Sequence, residues 1–125
     1  MTESLIGGGA AASGPGAGDL VKDSSTATFV ADVIEASKGV PVIVDFWAPW
    51  CGPCKQLTPA LEKVVREAKG KVRLVKVNVD ENQALAARFG IMSIPTVIMF
   101  SGGAVKTQLI GARGQKDYEK EFGLA

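Results

Sequence analysis

Trp50-Cys51-Gly52-Pro53-Cys54-Lys55 holds both cysteines of the chain, three positions apart, just after an apolar run. Two thiols with two residues between them can close into a disulfide and reopen, which suits the pair to passing electrons between thiols. A helix beginning at Cys51 leaves its first N–H groups without intrahelical partners, so that end carries partial positive charge. A thiolate placed there is stabilised, and its pKa falls below the roughly 8.5 of a free cysteine. Cys54 then lies one turn further on, within reach of a disulfide formed at Cys51. Pro53 is tolerated in a first turn because its missing N–H would have been unpartnered anyway. Gly52 lets a partner's backbone approach closely. Three other uses of two cysteines compete with this one. A structural disulfide is disfavoured in a reducing compartment. A zinc site wants four ligands, and the chain offers two thiols and no histidine. Two unreactive core thiols remain conceivable, but the surrounding Trp-Cys-Gly-Pro-Cys speaks against them.

Asp45 is the next residue that physical chemistry singles out. It stands inside Val42-Ile43-Val44-Asp45-Phe46-Trp47, where burying an ionised carboxylate is expensive. Its pKa should therefore be raised, so that it can hold a proton near neutrality. Pattern alone equally allows a solvent-facing Asp near a strand end. Lys76, in the neighbouring run Leu74–Val79, is from pattern alone an exposed strand lysine.

The elements that must hold these residues follow from periodicity. Leu20 to Lys22 read as a short first strand. Ser25 to Thr28 offer N-cap oxygens ahead of Phe29, Val30, Val33 and Ile34, which recur at helical spacing until Gly39. Val42 to Trp47 is near-continuously apolar, the mark of a strand covered on both faces. After the cysteines, Leu57, Ala60, Leu61, Val64, Val65 and Ala68 share one helical face, opposite Gln56, Glu62, Lys63, Arg66 and Glu67. Pro59 sits inside that helix, removes the bond to residue 55 and should kink the axis. Val72 to Val79 is a second β-rich run. Asn82 to Phe89 reads as a short helix closed by Gly90, with Leu85, Ala86 and Phe89 turned inward. Thr96 to Phe100 and Ala104 to Ile110 read as strands of an antiparallel hairpin joined by Ser101-Gly102-Gly103. Lys116 to Phe122 predicts a brief closing helix. Crossover helices between the early strands imply parallel pairing, and the late hairpin is antiparallel. The fold class is α/β, a mixed central sheet flanked by helices.

Bulk properties narrow the function classes. The chain has 125 residues, a single domain's worth, able to bury roughly two-thirds of its unfolded surface. Hydrophobic residues make up 46% and charged ones 22%, as in ordinary globular domains. The formal net charge of +1 is spread along the chain, so no nucleic-acid or anionic-membrane footprint is expected. The absence of histidine removes a Cys–His nucleophile pair and any imidazole base. No apolar run approaches the roughly 20 residues needed to cross a bilayer. Residues 1–18 are rich in Gly, Ala and Ser and predict a flexible tail ahead of a domain spanning 19–125. The first twenty residues lack a cationic start and a continuous apolar core, and Glu3 stands where a signal peptide wants positive charge. A cytoplasmic protein is therefore expected, and in that compartment a lone CxxC is more often catalytic than structural.

Val44-Asp45-Phe46-Trp47-Ala48-Pro49-Trp50-Cys51-Gly52-Pro53-Cys54-Lys55, with Ile94-Pro95-Thr96 and Gly111-Ala112 downstream, resembles the thioredoxin family across residues 19–125. The stretch from Asp45 to Val64 is also similar to the amino-terminal domain of bacterial thioredoxin–tetratricopeptide co-chaperones. The resemblance implies a three-layer α/β/α sandwich and a protein-disulfide reductase, a general electron donor in cell redox homeostasis. Under it Cys51 is the exposed nucleophile, and the more buried Cys54 resolves the mixed disulfide. Asp45 assists proton removal from Cys54, with Lys76 near that carboxylate. Pro95 becomes a cis proline facing the cysteines, although only about 5–6% of X–Pro bonds are cis. Trp50, Gly52, Pro53, Ile94, Gly111 and Ala112 form with it the docking surface, and Ile94 pairs with an extended segment of the substrate. Trp47 packs beneath the site or serves the core alone. The implied partners are disulfide-bearing proteins and an NADPH-dependent thioredoxin reductase. The nicotinamide and flavin belong to that reductase, so no cofactor is expected here, and a monomer is the expected state. Two rival functions are a client-binding module of a redox co-chaperone and an isomerase or oxidant on the same fold; Gly52-Pro53 disfavours the latter. One departure from the family is a last helix without a Ser or Thr cap.

Overall fold

The computed structural model describes residues 20–124; the tail expected over residues 1–18 lies outside them. Five strands form one sheet: β1 (Val21–Asp23), β2 (Val42–Trp47), β3 (Arg73–Asn78), β4 (Thr96–Ser101) and β5 (Ala104–Ile110). Their order is β1-β3-β2-β4-β5. β3 runs parallel to β1 and β2, and β4 runs antiparallel to β2 and β5. The mixed sheet expected from the crossovers and the hairpin is present.

Three α-helices, α1 (Gly52–Glu67), α2 (Gln83–Arg88) and α3 (Gln115–Glu121), cover the sheet together with an earlier helical segment. Alternation along the strands sorts the core into two layers. Ile43, Leu74, Val97 and Met99 face Leu57, Leu61, Val64 and Val65 of α1 and Tyr118 of α3. Val42, Val44, Phe46, Val75, Val77, Ile98 and Phe100 face the opposite way, against Phe29, Val33 and Leu85. This gives the three layers. It also decides where Asp45 points: odd positions of β2 face α1, so its carboxylate is carried under that helix. The β2–β3 register sets Lys76 beside Asp45.

Some elements differ from expectation. The first strand is displaced by one residue, and Leu20 instead drops into the α1-side core. The segment after Thr28 is not an α-helix: Val30–Glu35 is wound as a π-helix and runs into a 3-10 turn at Ala36–Lys38. Its apolar spacing still buries Phe29 and Val33, since the wider winding changes which carbonyl is paired more than which face is covered. The hairpin loop is Gly102-Gly103 alone, because Ser101 stays in β4. Both glycines have positive φ (63° and 85°), the requirement of a two-residue turn matching the strand twist. Pro59 lies inside α1, as expected, and does not end it. α3 lacks a side-chain cap, and its start is instead tied by the Arg113 N–H, which donates to the buried Tyr118 hydroxyl at 3.0 Å.

Candidate active site

β2 ends at Trp47, and the short link Ala48-Pro49-Trp50 turns the chain into α1. The Cys51 N–H donates to the Ala48 carbonyl at 3.1 Å, which fixes that turn. Cys51 is the N-cap of α1: its backbone is extended (φ −86°, ψ 105°), and its Sγ accepts the Cys54 N–H at 3.2 Å. The sulfur thus occupies the place where a capping oxygen normally answers the unpartnered amides of a first turn. Cys51 and Cys54 are joined as a disulfide with their Cα atoms 5.3 Å apart. Neither sulfur residue is open to solvent. Cys51, expected as the exposed thiol, is only 4% exposed against 1% for Cys54, because Ala48, Trp47, Val79 and Ile94 pack around the pair. The order of exposure holds while its extent does not.

The expected docking residues differ in exposure and in what they touch. The Ile94–Pro95 peptide is cis, and the Pro95 carbonyl accepts the Gly111 N–H at 2.8 Å, tying the entry of β4 to the turn that follows β5. Gly111 has φ +89°, a backbone state that side chains rarely adopt. Gly52, Pro53 and Ala112 are exposed, and Ile94 is half-buried. Trp50 is 69% exposed, and its indole N–H donates to Asp80 Oδ2 at 2.9 Å. Trp50, Ala86, Ile91, Met92 and Ile94 line an apolar groove of about 400 Å³, with Met92 94% exposed at its rim. Trp47 is half-buried beneath the site, and its indole nitrogen has no hydrogen-bond partner. It packs against the cysteine cluster rather than serving the core alone.

Asp45 is completely buried, which settles the choice left open by its pattern. Its Oδ2 accepts the Thr58 hydroxyl at 2.9 Å, while Oδ1 has no partner. Burial pushes its pKa up from 3.8 to about 6; the Thr58 bond and the charge of Lys76 oppose that rise, and the charge of Glu62 adds to it. Lys76 is half-buried and pairs with Glu62 Oε2 at 3.3 Å, so the lysine is shared between two carboxylates rather than committed to Asp45.

Thr58 and Glu62 are the site residues that sequence reasoning misses, since helical periodicity puts Glu62 on the outer face. The signal was present. Cys54, Thr58 and Glu62 follow one another at four-residue intervals, which stacks them on one stripe of α1. That stripe faces Asp45 and Lys76. Asp80, which orients Trp50, carried no comparable signal. Among the described residues no group of three His, Cys, Asp or Glu side chains is placed to hold a metal ion. The arrangement can accept and release a pair of electrons at the disulfide, with a buried carboxyl nearby that titrates close to neutrality.

Comparison with known proteins agrees with this chemistry. The family model described as Thioredoxin matches residues 20–122. Thioredoxin of Streptomyces clavuligerus is 47% identical over 94 residues, covering 75% of this chain and 85% of that protein. Thioredoxin of Rickettsia felis is 48% identical over 91 residues, 73% of this chain and 82% of that protein. A bifunctional thioredoxin reductase/thioredoxin of Mycobacterium leprae is 45% identical over 89 residues, 71% of this chain and 19% of that protein. A match of this extent, on a chain whose two cysteines are bridged at a helix start, means that this protein belongs to the thioredoxin family and is a thiol–disulfide oxidoreductase.

Proposed function

We propose that the chain reduces disulfides of other proteins in two exchange steps. In the reduced protein the Cys51 thiolate attacks one sulfur of a substrate disulfide. The substrate S–S bond breaks, a Cys51–substrate bond forms, and the departing substrate thiolate takes up a proton. The Cys54 thiol then gives its proton to the Asp45 carboxylate and attacks Cys51 Sγ. The mixed disulfide breaks, the second substrate thiolate leaves and is protonated, and the Cys51–Cys54 disulfide remains. The substrate has gained two electrons, and this chain has lost them.

The bridged pair at the start of α1, above a buried carboxyl with a pKa near 6, is the observation that carries this reading. A base poised close to the operating pH is the condition for efficient proton removal. Lys76, paired with Glu62 on the strand beside Asp45, lowers the pKa of that base through its charge. Trp50, Gly52, Pro53, Ile94, Pro95, Gly111 and Ala112 form the surface on which an extended substrate segment docks, pairing with the backbone at Ile94. The apolar groove between Trp50 and Ile94 supports that assignment.

Regeneration of the dithiol falls to an NADPH-dependent flavoprotein reductase. The Mycobacterium leprae relative, whose name couples a thioredoxin reductase to a thioredoxin, supports this partner. The cytoplasm is the proposed setting, since the cycle needs a reducing supply. Among the described residues no helix is long and apolar enough to cross a membrane. The functional unit is a domain over 19–125, with residues 1–18 as a dispensable tail. Turnover of insulin disulfides coupled to NADPH oxidation by a bacterial thioredoxin reductase tests the cycle. Cys54→Ser should stop turnover and accumulate substrate adducts on Cys51, whereas Cys51→Ser should give none. Adducts found chiefly on Cys54 would reverse the two roles.

A further inference from the structure

A hydroxyl group carries one proton, and Thr58 faces two acceptors. Its Oγ1 lies 2.9 Å from Asp45 Oδ2 and 3.0 Å from the carbonyl oxygen of Cys54. It can donate to one of them at a time. The protonation of Asp45 decides which. An ionised carboxylate only accepts, so it draws the Thr58 proton into a charge-assisted bond. A protonated carboxyl must itself donate. Oδ1 has no hydrogen-bond partner, so a proton placed there would be buried without an acceptor, at considerable cost. A proton on Oδ2 has the Thr58 oxygen to receive it. Thr58 then turns its own proton to the Cys54 carbonyl, the i−4 back-bond open to a threonine inside a helix.

We propose that Thr58 is a positioning residue that ties the protonation of Asp45 to the backbone of Cys54, donating to the carboxylate in one state and to the Cys54 carbonyl in the other. The proposal rests on the reading of Asp45 as the acceptor of the Cys54 proton. When that proton leaves Cys54 Sγ and arrives on Asp45, the Thr58 hydroxyl swings to the carbonyl of the residue that has just become the attacking thiolate. Before transfer, the same hydroxyl stabilises the ionised base. The other groups acting on or sensing Asp45 are Lys76 from β3, Glu62 from α1 and the Tyr118 hydroxyl from α3. None of them is altered by a change at Thr58, so a shift there reports the hydroxyl itself.

The test uses the full chain with the Asp45 carboxyl labelled with ¹³C. Its titration is followed by NMR in the wild type, Thr58→Val, Thr58→Ala and Thr58→Ser, beside the pH dependence of single-turnover insulin reduction. Losing the donor should raise the Asp45 inflection by about one pH unit in Thr58→Val and Thr58→Ala. Thr58→Ser, which keeps the hydroxyl, should titrate as the wild type does. A residue that only packs would lower the melting temperature and leave the inflection in place. An unmoved inflection in folded Thr58→Val and Thr58→Ala overturns the proposal. An inflection that moves by NMR while the rate profile stays fixed upholds the role of Thr58 and overturns Asp45 as the proton acceptor.

Discussion

Replacing Asp45 with asparagine should make the protein more stable at neutral pH while impairing its chemistry. Asp45 is fully buried, with a pKa raised from 3.8 to about 6, so the folded state binds its proton more tightly than the unfolded chain does. Below pH 3.8 both states are protonated, and the residue costs nothing through ionisation. Between 3.8 and about 6 the unfolded chain is ionised while the folded one holds its proton, so stability falls as pH rises. Above about 6 the penalty is complete. At about 1.4 kcal/mol per pH unit of difference, it amounts to about 3 kcal/mol. Asparagine keeps the shape and an oxygen for Thr58 but carries no charge. Its additional N–H group adds a desolvation cost that does not vary with pH. The pH-dependent part of the stability difference is therefore the quantity to measure. Urea denaturation of the oxidised protein and of Asp45→Asn at pH 3.5, 5, 7 and 8 should show the difference growing in favour of asparagine. It should rise by about 3 kcal/mol and level off above pH 7, equivalent to a melting-point gain on the order of 10 °C. A difference that stays flat from pH 3.5 to 8 would refute the account of a carboxylate destabilised by burial.

Two further expectations concern the surroundings of that carboxyl and the closing helix. Lys76→Met removes a cation that lowers the Asp45 pKa and frees the opposing charge of Glu62, so the Asp45 inflection should rise. Glu62→Gln should lower it, each shift being about half a pH unit once the partial exposure of both side chains is allowed for. Carboxyl NMR titration reads both, and shifts of the same sign would show that the two charges do not act on Asp45 as described. Tyr118→Phe removes the acceptor of the Arg113 N–H at the uncapped start of α3. It should cost about 1 kcal/mol by chemical denaturation, with no change in disulfide turnover, and an unchanged stability would mean that the helix start is held some other way.

The parts of this fold that could be read from the sequence are those where side-chain pattern and backbone requirement coincide. The run Val42–Trp47 had to be covered on both faces, and its one carboxylate stood out because nothing about a buried strand tolerates it cheaply. Gly102-Gly103 marked the hairpin because both positions need positive φ. Where the deciding quantity is backbone winding, the residues were silent: Phe29, Val33 and Ile34 fit a covered face under π or α geometry alike. The cis bond before Pro95 is likewise not legible from local composition, which favours trans; only the family resemblance implies it. The spacing of Thr58 from Cys54 marks its stripe of the helix but not its partner. A hydroxyl on the polar side of an amphipathic helix looks solvated, and only the β2–α1 packing turns it toward Asp45.

The same short segment therefore serves structure and chemistry together. α1 needs an acceptor for its first amides, and Cys51 Sγ supplies one, which places the sulfur where a negative charge is stabilised. One turn on, Cys54 closes the pair, and a further turn on, Thr58 reaches the carboxyl that β2 has carried beneath the helix. The cap, the resolving thiol and the hydroxyl that faces the base all depend on the phase of one helix relative to one strand. Rotating α1 by a single residue would swing Thr58 off Asp45 and leave the carboxylate buried with no hydrogen bond. Packing of Leu57, Leu61, Val64 and Val65 into the α1-side core fixes that phase. The aliphatic ladder of the helix is thus as much a part of the redox site as the sulfurs it orients.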